Sequence, residues 1–307
     1  MEDIYEWGLQ VIRAIQTIRC APLDVLGKFI HVVFNSPIYI VILLFYAFCV
    51  DYRKARKMGF SLLFTQALVT GIKNRLCVPR PYTRDPSVGL ATESSWSTPS
   101  GHSAGAAAVF PVMGVVEKKW KRWVRIVVAA VVPLFIGVSR CYVGVHYPTD
   151  VLSGLCLGYM VALFVVLFLD QIDVKLSGLR TSYRILIAAL VTYLLLLLDN
   201  VDSSMTGGFF GLELGCILLE KQGGFDASKG TIKQKVLRFL LGAAITLVPY
   251  LLMKLFFPSE GELRALFRFI RYLVTCFMAL YVSPLVFIKL GLGESAKASS
   301  VPEGAAE

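Results

Sequence analysis

His102 and His146 are two of only three histidines in 307 residues. His146 stands four residues before Asp150, across Pro148, in the stretch SRCYVGVHYPTD at 139–150. A carboxylate close to an imidazole holds one ring nitrogen as N–H and leaves the other free as a nucleophile. The alternative is a capping aspartate beside an incidental loop histidine. Arg140, in the same stretch, supplies a planar donor fork suited to phosphate. His102 lies in TPSGHS at 98–103. Thr98 can cap a helix whose first residue is Pro99. The N–H groups of Ser100, Gly101 and His102 then point outward, where the helix dipole favours an anion. Ser100 adds a hydroxyl donor, and Gly101 lets a ligand come close. The bland alternative is a helix start with a solvent-facing histidine. In KNRLCVPRP at 73–81, Lys73 and Arg80 bracket six residues, and Pro79 and Pro81 stiffen the chain around Arg80. Basic residues anchored at a membrane interface would look similar. Together the pieces are a phosphate site with a nucleophile and an acid. The third histidine, His31, lies in an apolar N-terminal segment and reads as packing or interface.

The elements that must position these residues are membrane helices. The chain is 56% hydrophobic and only 17% charged, where a soluble protein carries about 25% charged residues. Apolar runs recur along almost the whole length. The net charge of +10 comes from short loops between those runs, which reads as topology rather than a polyanion groove. Nucleic acid is therefore not expected as a partner. The start opens acidic without a continuous apolar core, unlike a signal peptide. Asp3, Glu6, Gln10, Arg13 and Thr17 follow helical spacing with Ile4, Val11, Ile15 and Ile18 on another face. This predicts an amphipathic helix on the membrane surface, the alternative being one packed on the rest of the protein. The seven cysteines are odd in number and irregularly spaced, with no CxxC, so neither a disulfide framework nor structural zinc is expected.

Candidate spans are 37–50, 57–77, 100–117, 124–142, 149–170, 183–199, 207–220, 237–256 and 267–289, with Ser36 as cap of the first. If all nine cross, the loops rich in Lys and Arg near 54, 120, 178 and 229 fall on one side, which is then cytoplasmic. The C-terminus lies on that side as well. Trp120 and Trp123 suit its interface. Lys73, Arg75, Arg80, Arg84 and Arg140 fall on the opposite, extracytoplasmic side, where binding an anion explains them. Glu213 sits in a span with Gly207, Gly211 and Gly215 at four-residue spacing, a row that lets helices pack closely. A carboxylate there needs a partner, and matching depth points to Arg271, or next Arg268.

K-x6-RP at 73–81, PSGH at 99–102 and SR-x5-H-x3-D at 139–150 resemble the three signature motifs of the type 2 phosphatidic acid phosphatase family, which is related to the vanadium haloperoxidases. All three match without a departure. The resemblance covers roughly residues 22–172 and implies a helical core with the site at its outer face. It also implies roles. His146 would attack phosphorus, Asp150 would orient it, and His102 would protonate the leaving oxygen. Lys73, Arg80, Arg140, Ser100 and Gly101 would hold the phosphate oxygens. No metal and no other cofactor are implied. The expected fold is an all-α polytopic membrane bundle. Its parts are an interfacial helix at 1–21, the phosphatase core at 22–172, an added C-terminal bundle at 173–292 and a disordered tail at 293–307. The expected partners are the lipid bilayer and a lipid phosphate substrate, in a bacterial plasma membrane. Undecaprenyl diphosphate, phosphatidic acid and phosphatidylglycerol phosphate all fit the motifs, and the oligomeric state is not legible. Two other readings stay open: a lipid phosphotransferase using the same residues, and a transporter or scaffold that keeps the fold without the activity.

Overall fold

Small side chains after Ser100 set the architecture around the two histidines. In the computed structural model, residues 2–35, 37–198, 202–258 and 260–297 are described. The expected cap at Ser36 and the end of the span 183–199 lie outside them. The protein is all-α: no strand longer than an isolated bridge occurs among the described residues. The main helices are α1 (Glu2–Gln16), α2 (Ala21–Val33), α3 (Pro37–Phe45, running on through a π-type turn to Val50), α4 (Tyr52–Leu76), α5 (Gly101–Val116) and α6 (Arg122–Tyr142). They continue with α7 (Pro148–Ser177), α8 (Thr181–Leu198), α9 (Ser204–Lys221), α10 (Ile232–Phe256) and α11 (Arg264–Lys289).

Among the described residues, α6, α7, α8, α10 and α11 are long and apolar enough to cross a membrane. Ala21–Val33 and Ile38–Val50, bent by 53°, make a sixth if they form one broken span. The expected spans 57–77, 100–117 and 207–220 are helices too, but they fall short of that standard by themselves. Helix α5 has 16 residues, α9 carries Glu213, Glu220 and Lys221, and α4 carries Arg53, Lys54, Arg56, Lys57 and Lys73. Most of α5 and α9 is buried by neighbouring helices. Protein, rather than lipid, supplies their apolar surroundings.

Contacts group the chain into two compact units, not in linear order: Met1–Tyr39 with Phe64–Phe168, and Ile40–Leu63 with Leu169–Glu307. In the first unit, α5 and α7 meet almost backbone to backbone. A Cβ on Gly154 would stand 2.5 Å from the Ser100 carbonyl oxygen, and one on Gly158 would stand 2.3 Å from that of Ala104. Between α6 and α7, Gly144 takes φ +74° with the Val88 carbonyl pressed against it. Only glycine fits that position. The turn is pinned there by the Leu90 N–H donating to the Val143 carbonyl at 2.9 Å. Leu9 and Ile12 of α1 enter a core with Val88, Ala107, Cys141, Tyr147, Val151 and Leu155. Gln16 donates to the carbonyls of Val88 and Tyr142, each at 2.8 Å. So α1 packs on its unit, while Ile4 and Trp7 stay exposed, as a helix against a lipid surface requires.

In the second unit, the glycine row of α9 packs as its spacing predicts. A Cβ on Gly207 or Gly211 would lie 2.3 Å or 2.2 Å from the carbonyl oxygens of Phe269 and Leu273 on α11. The partner expected for Glu213 is corrected. Its Oε2 accepts from Arg56 Nη2 at 2.9 Å, and Arg56 Nη1 reaches Asp173 at 2.5 Å. Arg271 instead lies over the Tyr250 and Tyr272 rings, and Arg268 pairs with Asp202 at 2.5 Å. Helix α4 starts at Tyr52, so Arg56 is a helical residue and not part of a loop. Glu213 lies near the middle of α9, level with it. Of the expected tail, residues 293–297 fold back on the turn at 223–226: the Asp226 N–H donates to Glu294 and the Lys297 N–H to Gly223, each at 3.0 Å. Residues 298–307 lie outside the described part.

Candidate active site

Lys73 sits one turn before the end of α4. Cys77, at φ +49°, then turns the chain off the helix toward Arg80. Both cations reach the segment 93–97. Lys73 Nζ donates to the carbonyls of Trp96 and, at 3.1 Å, Ser97. Arg80 is saturated: Nε donates to Ser95 O at 2.7 Å, Nη1 to Val145 O at 2.9 Å, and Nη2 to Trp96 O and Ser95 Oγ at 3.0 Å. Nη2 also pairs with Glu93 Oε2 at 2.7 Å.

His146 is fully buried in the loop before α7. Arg80 Nη1 lies 3.1 Å from its Nε2. A guanidinium has only donors, so Nε2 is the acceptor and carries the lone pair. The proton then sits on Nδ1, which faces Asp150 Oδ2 at 3.5 Å. Asp150 is held in turn by Ser97 Oγ at 2.6 Å, the Tyr147 N–H at 2.8 Å and Thr98 Oγ1. Burial pushes the His146 imidazole down to about 4, helped by Arg80 and Lys73 against the opposing Asp150. It is therefore neutral near pH 7.

The start of α5 differs from the sequence expectation in one respect. Ser100, not Thr98, is the cap, and Gly101 is the first helical residue. Ser100 Oγ accepts from the Ser103 N–H. The Ser100 N–H is spent on the Asp150 carbonyl at 2.9 Å, and the Thr98 hydroxyl on the Asp150 carboxylate. Close approach of α7 causes both. The amides left for an anion are those of Gly101 and His102, which helix geometry leaves without intrahelical acceptors. Arg140 is fully buried at the end of α6. It donates to Ser139 Oγ at 3.2 and 3.0 Å and to His31 Nδ1 at 2.9 Å. Every residue expected in the phosphate site thus lies in the first compact unit.

Three residues were missed: Glu93, Ser97 and His31. Glu93 pairs with Arg80, and its Oε1 faces His102 Nδ1 at 3.5 Å and His31 Nδ1 at 3.7 Å. Burial pushes its carboxyl up, but Arg80, then His146, His102 and Lys73, outweigh that and bring it down to about 2. Glu93 is one of only two acids, with Asp85, between the K-x6-RP and PSGH motifs, and that was the available signal. The cluster sets Lys73, Arg80 and Arg140 against two carboxylates; burial, then Arg80, brings Lys73 down to about 7, so with Lys73 charged and the histidines neutral it carries one net positive charge. Most partners of the cations are neutral oxygens, and a phosphate dianion is favoured.

His31, Glu93 and His102 offer ligand-type atoms within 4.8 Å of one another, the spacing of a metal site. Arg140 already occupies His31 Nδ1, and Arg80 pairs with the other oxygen of Glu93. A divalent ion about 5 Å from a guanidinium is opposed by about 7 kcal/mol at an effective dielectric of about 20. The cluster is better matched to a proton.

Residues 54–172 match the PAP2 superfamily, and residues 203–297 match the transmembrane extension of PAP2 superfamily phosphatases. The chain belongs to the PAP2 superfamily. It is similar to phosphatidylglycerophosphatase B of Bacillus subtilis (strain 168), 43% identical over 90 residues, which are 27% of this chain and 44% of that protein. It is also similar to an undecaprenyl-diphosphatase of Sulfolobus acidocaldarius, 31% identical over 113 residues, 35% of this chain and 53% of that one. The chain thus spans about half the length of the curated relatives it matches. A solved structure of a transmembrane PAP2-type phosphatidylglycerolphosphate phosphatase from Bacillus subtilis aligns with 59% of this chain and 90% of its own, at 25% identity and a TM-score of 0.48.

Proposed function

We propose that the protein hydrolyses a phosphomonoester or diphosphate on a lipid headgroup through a phosphohistidine at His146. One observation carries this reading. The buried His146 has its Nε2 lone pair beside Arg80 and its Nδ1 toward Asp150, in a pocket of three cations. Nε2 attacks phosphorus as the bond to the leaving oxygen breaks; His102, which takes up a proton at Nδ1 on the Glu93 side as the phosphate dianion binds, gives that proton to the leaving oxygen. Asp150 stabilises the resulting positive imidazole. Water then attacks the phosphohistidine, with His102 now taking its proton, and phosphate leaves. Lys73, Arg80, Arg140 and the Gly101 amide hold the equatorial oxygens. Arg80 gives up one protein acceptor to do so. Phosphoryl transfer of this kind needs positioning and positive charge, so no metal is required.

The names of the two relatives support a phosphatidylglycerol phosphate or undecaprenyl diphosphate class of substrate, with phosphatidic acid as a third candidate. The basic residues of the outer loops support a site on the extracytoplasmic face, with the C-terminus in the cytoplasm. The test is phosphate release from these three lipids in detergent with EDTA present, followed by rapid quench of a 32P-labelled substrate. Acid-labile, base-stable label on the wild type, and loss of at least about 10³-fold in turnover for folded His146→Ala, are expected. Turnover of that variant above about a tenth of wild type would overturn the mechanism.

A further inference from the structure

We propose that His31 is a positioning residue of the phosphate site: its Nδ1 orients the Arg140 guanidinium without neutralising it. The inference rests on reading the cluster around His146 as a phosphoryl-transfer site. Helix α2 lies outside the matched residues 54–172, and no motif points to it. Its placement is nonetheless built in. Gly27 packs on Tyr142 and Val143, with room for a Cβ only 3.1 Å from either side chain. Tyr142 donates its hydroxyl proton to Asp24 at 2.6 Å. These contacts fasten α2 to the end of α6, where Arg140 stands.

Arg140 Nη1 donates to His31 Nδ1 at 2.9 Å. The guanidinium cannot accept, so the His31 ring is the neutral Nε2–H tautomer. The remaining bonds of Arg140 go to the Ser139 hydroxyl, and Arg140 makes no ion pair among the described residues. A buried cation needs its donors satisfied. A carboxylate at position 31 would satisfy them and also cancel the charge that an incoming phosphate needs. A neutral imidazole meets the first requirement and spares the second.

The same residue also sets the state of His102. His102 Nε2 donates to the main-chain carbonyl of His31 at 3.2 Å, and the two rings stack with centroids 5.5 Å apart at 18°. That bond leaves Nδ1 as the basic nitrogen of His102. It faces Glu93 Oε1 at 3.5 Å, an oxygen with no hydrogen-bond partner of its own. A proton taken up by His102 therefore lands between that ring and Glu93. The carbonyl survives any side-chain substitution at 31, so the side chain's own contribution is the acceptor for Arg140.

Two variants separate that role from packing. Asn places Oδ1 where Nδ1 stands and can accept from Arg140, but it loses the ring. Phe keeps a ring against His102 and cannot accept. The readout is the inhibition constant for inorganic phosphate, together with kcat and KM. His31→Phe is expected to weaken phosphate inhibition about tenfold or more, the scale of one hydrogen bond to a charged group, while His31→Asn stays within about threefold of wild type. In an Arg140→Ala background, His31→Phe adds no further loss. If Phe matches wild type, or Asn is the worse of the two, the inference is overturned. His31→Leu repeats the test if the Phe variant does not purify folded. Retained turnover in His146→Ala would sink the reading of the site, whereas a dead His146→Ala beside a harmless His31→Phe sinks only this inference.

Discussion

On the proposed mechanism, His146 attacks only while its Nε2 holds a lone pair, and burial keeps the proton off it. The imidazole is brought down to about 4, so the neutral, reactive form dominates above that pH and the charged, inert form below it. With an aryl phosphate, whose leaving group needs no proton from His102, kcat/KM is expected to be flat on its acid side down to about pH 4 and then to fall about tenfold per pH unit. A pH–rate profile in detergent checks this, and an acid limb near 6.5 contradicts it. The residues to which this chemistry is assigned could be picked out because histidine is rare in the chain and the cations recur at the ends of apolar runs. Glu93 and His31 could not. The first carries one charge in a polar segment, and the second sits among apolar neighbours. Only folding shows that both face His102. Ser97 gave no signal, since a single hydroxyl in SSWSTPS looks like any other.

At the scale of helices, the site depends on how closely α5 and α7 cross. Gly158→Val would drive a branched side chain into the Ala104 carbonyl, 2.3 Å from the first added carbon. Overpacking of this kind costs about 1–3 kcal/mol. A lower melting temperature in detergent is expected, together with reduced turnover, because Asp150 and Ser100 ride on the two helices. The second unit has its own test. Removing one partner of a buried ion pair costs about 3–5 kcal/mol, and Arg56–Glu213 is such a pair. Glu213→Ala and Arg56→Ala should each lower thermal stability, with the double variant losing less than the sum; additive losses would argue against the pair. Helix periodicity and the glycine row were readable from sequence. The partner of Glu213 was not, because a basic cluster at a span's end looks like a loop until the start of α4 is known. For the same reason Thr98, and not Ser100, looked like the cap: the nearby aspartate that claims both groups is fifty residues away in sequence.

Across the whole molecule, the charge pattern makes the sides of the membrane testable. In a background with the exposed Cys20, Cys77 and Cys156 replaced, a cysteine at Thr92 should react with an impermeant maleimide in intact cells, and one at Lys119 should not. Labelling at 119 alone would invert the topology. Composition was enough to predict membrane helices. It overstated how many qualify by themselves, since α4, α5 and α9 carry charge or lack length and rely on neighbours. One feature of the site has an effect that reaches beyond its chemistry. Residues 95–97 are tethered by Arg80 and Lys73 through their own carbonyls and a hydroxyl. On the proposed mechanism phosphate recruits those same two cations, and Arg80, whose donors are all spent, gives up an anchor to bind it. Ligands ordinarily slow amide hydrogen exchange around them. Here, saturating phosphate should speed exchange at 95–97 while slowing it at 101–103, so that occupancy loosens the strap as it tightens the helix end.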